Sequence, residues 1–296
     1  MIESSIGSRL RAVIYSFHMP IFMAISGYLY YFEVRRAADK KSDGYGKFVL
    51  KKAKRLLVPF VIALYLWRKP LFFLADTKVY EEMTATQIIK SYLSVSTTGA
   101  LWFLYVLFAI FVAQRIFVNI IWKSDRTVFV WLFVFALLNV GLVYFSGPIH
   151  HVMLYNYYFF LGSFIHRYQD KFKMSQKKWL ISTGVISLIG TAGLLAMTLP
   201  EVLGSIYNMV LATADIIFAI LISDKAKNVA VKVIRPISDW SMGIYLFHEP
   251  LIVAVGSKLP EMGVLLVLSF SIIGLGLSIL MTILLRKIGL RFVMGE

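Results

Sequence analysis

The stretch "SFHMPIFMAISGYLYY", Ser16 to Tyr31, is apolar enough to cross a membrane, yet it holds one histidine, one proline and a Ser-Gly pair. Reading it as a lipid-embedded helix decides the fold, because eight further segments read the same way. A hydrocarbon core of about 30 Å needs roughly 17 to 25 helical residues. The nine segments that meet or approach this lie near 13–32, 56–75, 101–122, 127–146, 152–166, 179–199, 205–222, 238–256 and 263–285. The fifth is short at "VMLYNYYFFLGSFIH", and Arg68 and Lys69 ahead of Pro70 interrupt the second, placing its expected end at Trp67. Continuous apolar runs read as helices, since barrel strands would alternate over about ten residues. The expected fold class is therefore all-α, a polytopic transmembrane helix bundle of about nine spans forming one domain over residues 1–296.

Composition agrees. The chain is 59% hydrophobic, 15% aromatic and only 16% charged, far from the apolar half and charged quarter of a soluble domain. A net charge of +15 raises the question of nucleic acid, but the distribution of cations answers it. Alternate connections, at 33–55, 123–126, 167–178, 223–236 and after 285, carry 23 of the 31 Lys and Arg residues. The other connections hold only Arg9, Arg11, Lys78, Lys90 and Lys258. By the positive-inside rule the rich set is cytoplasmic, the C-terminus with it, and the charge orients the protein rather than binding nucleic acid. Nine spans ending inside must begin outside. The segment "MIESSIGSRLRA" lacks the apolar core of a signal peptide, so the expectation is a missing earlier span that would return the N-terminus to the cytoplasm.

With no cysteine in the chain, disulfides, thiolate metal sites and a thiolate nucleophile are excluded, and the five histidines become the titratable groups of interest. His150 and His151 are expected as solvated residues of a short outer loop, with no metal, and His166 as an interfacial residue beside Arg167. His18 and His248 fall inside spans, where an ionisable group is costly and usually faces a protein interior or wet cavity. At helical spacing His18, Phe22, Ile25 and Ser26 share one face. In "SDWSMGIYLFHEPL", Ser241, Tyr245 and His248 share another, and Glu249 follows at once. Proline stands two residues after each histidine, Pro20 and Pro250, and opens helical backbone bonding. The bland alternative is helix packing, with Ser, Gly and Tyr permitting close approach and a neighbour satisfying each histidine.

Four stretches in order, "FHMPIFMAISGYLY" at 17–30, "FVLKKAKRLLVPF" at 48–60, "LWFLYVLF" at 101–108 and "SMGIYLFHEPL" at 241–251, resemble the acyltransferase-3 type of membrane-bound O-acyltransferases. The branch they resemble contains fucose 4-O-acetylase. The resemblance implies a ten-helix core in the cell membrane that passes an acyl group, usually acetyl, from cytoplasmic acyl-CoA to a hydroxyl of an envelope glycan or lipid-linked sugar. It implies acetyl-CoA or another acyl-CoA as co-substrate and no tightly bound cofactor. The family's paired basic residues match Lys52 and Arg55 in "KKAKR", expected directly before a helix start, where cations and N-terminal amides both hold phosphate. Lysine for arginine keeps the charge but loses the bidentate fork. Trp102 and Tyr105 are expected at an outer helix end, stacking on a sugar or serving as interfacial belt residues. Acyl transfer needs a base near the acceptor and donors for the oxyanion. His18 or His248 fits the first role; Ser26, Tyr28 and Tyr245 fit the second, with Ser241 and Glu249 as further substrate contacts. Family members normally begin with an extra helix bearing the histidine held to be catalytic, and the first span here matches their second helix, so that histidine has no counterpart to carry over. The alternatives are a glycan-precursor transporter, for which Asp215 and Arg115, besides Arg68 and Lys69, would be the buried ionisable groups, and an inactive truncated member.

Overall fold

The computed structural model describes residues 5–39, 43–75, 81–93, 98–142, 144, 148–197, 199–225, 227–256 and 264–296. Among them there is helix and no strand. The helices are α1 (Ser5–Ala38), α2 (Tyr45–Ile62), α3 (Lys69–Ala75), α4 (Ala85–Leu93), α5 (Trp102–Ile116), α6 (Val118–Ile121) and α7 (Asp125–Gly141). They continue with α8 (Pro148–Arg167), α9 (Gln169–Met174), α10 (Gln176–Ala196), α11 (Glu201–Lys225), α12 (Lys227–Gly256) and α13 (Val264–Lys287). Among the described residues each of the nine expected spans overlaps a helix; the third is broken at Phe117, and the helices of the fourth and sixth end early, at Gly141 and Ala196. Among the described residues, five stretches are long and apolar enough by themselves to cross a membrane: Val13–Ala38, Tyr45–Ala75, Gly99–Ile116, Gln176–Ala196 and Glu201–Asp224. The side assigned to residues 1–4, and the loop cations Lys78 and Lys258, lie outside the described residues.

Of the boundaries that differ from the sequence reading, three bear on the site residues. The second span does not end at Trp67. A π-helical turn, Ala63–Arg68, joins α2 to α3, with the Lys69 amide donating to the Leu64 carbonyl. A wider turn just before Pro70 shifts the carbonyls that the proline ring would strike, so the helix passes through the proline instead of stopping. The short fifth span is longer than expected, because α8 begins at Pro148 and takes His150 and His151 into its first turns rather than leaving them in a loop. Proline supplies the favoured first-turn geometry there. Finally, "KKAKR" lies inside α2, not before it; Lys, Ala, Arg and Leu are all good helix formers, so nothing delays the helix to residue 56.

The chain divides into two compact units, Met1–Tyr45 with Ala109–Ala230 and Gly46–Phe108 with Val231–Glu296. In the first, α1 and α8 run parallel in very close contact. A Cβ on Gly27 would land on the Phe159 carbonyl, and one on Gly162 on the Ala24 carbonyl. Lipid is as apolar as a side chain, so helices in a bilayer associate through such small-residue contacts and through polar bonds rather than hydrophobic burial. The polar bonds are present: Ser163 donates to the Gly27 carbonyl at 2.6 Å, and His166 Nδ1 to the Tyr28 carbonyl at 2.7 Å. Helices α7 and α8 are antiparallel, bonded by Asn139 to the Leu154 carbonyl at one end and by Tyr168 and Arg167 to Asp125 at the other. Helices α10 and α11 form an antiparallel hairpin, with Gly184, Gly190 and Gly193 facing Phe218, Leu211 and Tyr207. In the second unit, α12 meets α13 where a Cβ on Gly243 would strike Thr282.

Candidate active site

Polar chemistry in the second unit gathers around the π-helical turn. Arg68, the last residue of that turn, donates to Glu249 of α12 at 3.0 Å, and both side chains are largely buried, 9% and 22% exposed. The guanidinium also lies over the Phe72 ring, 4.2 Å from its centroid. Gly99 closes the third side: it holds φ +53°, and a Cβ there would fall on the Arg68 guanidinium and 2.7 Å from Glu249 Oε1. Only glycine adopts that backbone cheaply and admits the ion pair so close to the chain. The next residue supports the same corner, since the Ala100 carbonyl accepts a hydrogen bond from Tyr245. Lys69, also buried, donates to the Ser91 carbonyl at 3.0 Å, and Tyr65 to the Leu93 carbonyl at 3.0 Å. Both therefore satisfy orphan carbonyls in the last turn of α4.

His248 precedes Glu249 on α12, three residues after Tyr245. Its Nδ1 lies 2.7 Å from the Ile244 carbonyl and 3.1 Å from the Tyr245 carbonyl. A carbonyl only accepts, so Nδ1 carries the proton in the neutral ring and Nε2 is the acceptor, the arrangement a general base requires. Trp67, one residue before Arg68, packs edge-on against Phe247 at 5.3 Å. Its buried indole N–H finds no acceptor among the described residues. Ser241, two turns back on α12, is exposed.

The remaining expected residues of this unit lie around it. Trp102 and Tyr105 occupy the first turn of α5, where Phe103 meets Tyr245 at 5.8 Å and Tyr105 meets Phe60 at 5.6 Å. Lys52 and Arg55 share a face of α2 one turn apart, Lys52 over the Phe48 ring at 5.5 Å and Arg55 exposed. Contrary to expectation, helix N-terminal amides do not assist them, because those amides begin at Tyr45. The Arg55 carbonyl is instead covered by Gly295, at φ +73° after a final 3-10 turn, Arg291–Met294. Glu296 then pairs with Arg286, which also bonds the Asp239 carbonyl at 2.5 Å. Thirteen residues separate Arg55 from Arg68, about 20 Å of helix.

His18, Ser26 and Tyr28 belong to the other unit, and they do not form one pocket. His18 Nδ1 donates to the Ile14 carbonyl at 2.9 Å, and Ser26 to the Phe22 carbonyl at 2.9 Å, both within α1. The other members of their face, Phe22 and Ile25, are 54% and 46% exposed, so the expectation that this face lines a cavity is not met. Tyr28 stacks on His166 at 4.2 Å and donates to Gln169 at 3.2 Å. His166 itself is buried in a box of Tyr28, Tyr31 and Phe32 rather than lying at an open interface. Among the described residues no cluster of three or more His, Cys, Asp or Glu suits a metal.

Sequence reasoning did not single out Trp67, Arg68 or Gly99 as site residues. The signal was present: two cations and a proline inside an apolar run, which membrane energetics tolerates only when the charges are paired.

An acyltransferase domain model matches residues 2–285. The chain belongs to the acyltransferase domain family. It is also 25% identical over 152 residues to the nodulation protein NolL of Mesorhizobium japonicum, a stretch covering 51% of this chain and 36% of that protein. The chain thus aligns with only about a third of that relative's length. No solved structure matches. Family and fold together make this a membrane protein of acyltransferase type, and Glu249 of the buried ion pair lies in "SMGIYLFHEPL", one of the four stretches that carried the resemblance.

Proposed function

We propose that the chain transfers an acetyl group from cytoplasmic acetyl-CoA to a hydroxyl of an envelope glycan or lipid-linked sugar, in the cell membrane with the C-terminus cytoplasmic. The observation that carries the reading is the Arg68–Glu249 pair, buried within spans and held against Gly99 beside His248. In this scheme the acceptor hydroxyl gives its proton to His248 Nε2 while its oxygen attacks the thioester carbonyl carbon. The tetrahedral intermediate collapses, the C–S bond breaks, and the departing thiolate takes the proton from His248. Arg68 and the Trp67 N–H supply positive potential and a donor for the developing oxyanion. Glu249 holds the guanidinium in place, and Tyr245 anchors α12 to the Gly99–Ala100 corner. Lys52 and Arg55 would take the phosphates of the donor. The roughly 20 Å of helix from there to Arg68 suits an extended pantetheine arm. Trp102, Tyr105 and Ser241 would contact the sugar, and His18, with Ser26 and Tyr28 on its helix, is the competing base.

Alanine at His248 and at His18, assayed with radiolabelled acetyl-CoA and an envelope glycan preparation, tests the assignment. His248→Ala is expected to lower kcat by about 10²- to 10⁴-fold, with His18→Ala near wild type. Full activity in His248→Ala overturns the role of His248.

A further inference from the structure

Away from the ion pair, the first unit carries a cleft of about 420 Å³ lined by Ala37, Tyr45, Arg115, Ile116, Val118 and Asn119. It lies where α1 ends, α2 begins and α5 gives way to α6. By the charge pattern this is the cytoplasmic edge of the spans. Arg115 Nη2 donates to the Asp43 carbonyl at 2.8 Å, which fixes the guanidinium at the cleft. Arg35 and Arg36, in the last turn of α1, are exposed beside Ala37. Ile116 of the lining is apolar and 56% exposed, and Phe117 and Ile120, next to it along the chain, are 43% and 56% exposed.

We propose that this cleft binds the headgroup of an anionic phospholipid. Arginine supplies donors in a fork that matches phosphate. The Tyr45 hydroxyl and Asn119 amide add neutral polar groups for the glycerol part. The exposed apolar side chains give the acyl chains a surface continuous with the bilayer, which a water-soluble phosphate would not need. Basic pockets between helices at the cytoplasmic face are suited to such lipids, whose headgroups concentrate there. A volume of this size is ample for a headgroup. The site is independent of the transfer reaction and makes no use of His248 or Arg68.

The test is native mass spectrometry of the purified full chain in neutral detergent with phosphatidylglycerol or phosphatidylcholine added. Wild type should retain phosphatidylglycerol preferentially, and Arg115→Gln should lower that retention about tenfold without changing phosphatidylcholine. Ala37→Trp, which fills the cleft without touching a charge, should give the same loss and covers the case in which Arg115→Gln does not fold. Equal retention of the two lipids, or wild-type retention in either folded variant, overturns the proposal. So does displacement of the lipid by equimolar inorganic phosphate or coenzyme A, which would make the cleft a site for a soluble phosphate ligand.

Discussion

The two units hold their helices together by different means. In the first, most buried bonds between helices join neutral groups, Ser163 to Gly27, His166 to Tyr28, Asn139 to Leu154 and Gln114 to Asn156; Ser187 also donates to the partly buried Asp215 carboxylate, and the Arg167–Asp125 pair is open to solvent, Asp125 being 64% exposed. Each of the four neutral bonds couples a side chain to a backbone carbonyl or to another amide. The second unit has a close contact at Gly243 and Thr282, and adds a buried Arg–Glu pair pressed on a left-handed glycine. Neutral bonds suffice to glue helices, and a buried ion pair is a poor stabiliser once desolvation is counted. On that ground we propose that the charge in the second unit serves chemistry rather than assembly, which is why the site is placed there.

The largest expected effect breaks that pair. Arg68→Leu leaves the Glu249 carboxylate buried alone and should cost about 3–5 kcal/mol of stability, read as a loss of Tm or of folded yield in detergent. Arg68→Leu with Glu249→Leu should recover most of it, because two apolar side chains suit the same space. Next come the glycine contacts of the first unit: Gly27→Ala or Gly162→Ala puts a methyl on a backbone carbonyl and should cost about 1–3 kcal/mol, seen in thermal unfolding. Asn139→Ala should lose less, about 0.6 kcal/mol, by the same measurement.

The smallest effect is on pH. Hydrogen bonds from Tyr168 and Arg167 hold the Asp125 carboxyl below the usual carboxylate range. A depressed folded pKa contributes stability above the unfolded value, near 4, and the contribution is lost as pH falls through the folded one. Tm of wild type and Asp125→Asn should therefore differ by a constant amount from pH 7 to about 5 and converge below about 4. A gap that widens on acidification would contradict the pairing.

Much of this was legible in the sequence. Apolar run lengths and alternating loop charge gave helices at all nine expected positions, because those signals are set locally by the bilayer. What escaped was long-range or depended on backbone detail. Arg68 and Glu249 are 181 positions apart, so no local pattern could pair them, and two unpaired-looking cations before Pro70 read as a helix end. The π-helical turn is a backbone accommodation with no sequence mark beyond the proline itself. His248 could be suggested from its span position, whereas the Nδ1 bonds that leave Nε2 as acceptor follow only from the fold. His18 had an equally good sequence case. What separates them is the neighbourhood, an exposed apolar face for one and a buried ion pair for the other.

The central claim is that the ion pair serves acyl transfer and not assembly. Its most direct test is turnover of labelled acetyl-CoA by the Arg68→Leu/Glu249→Leu double variant, measured where its Tm matches wild type. A fall in kcat of at least about 10²-fold in a folded protein is expected. Wild-type turnover would show the pair to be structural and move the chemistry elsewhere in the chain.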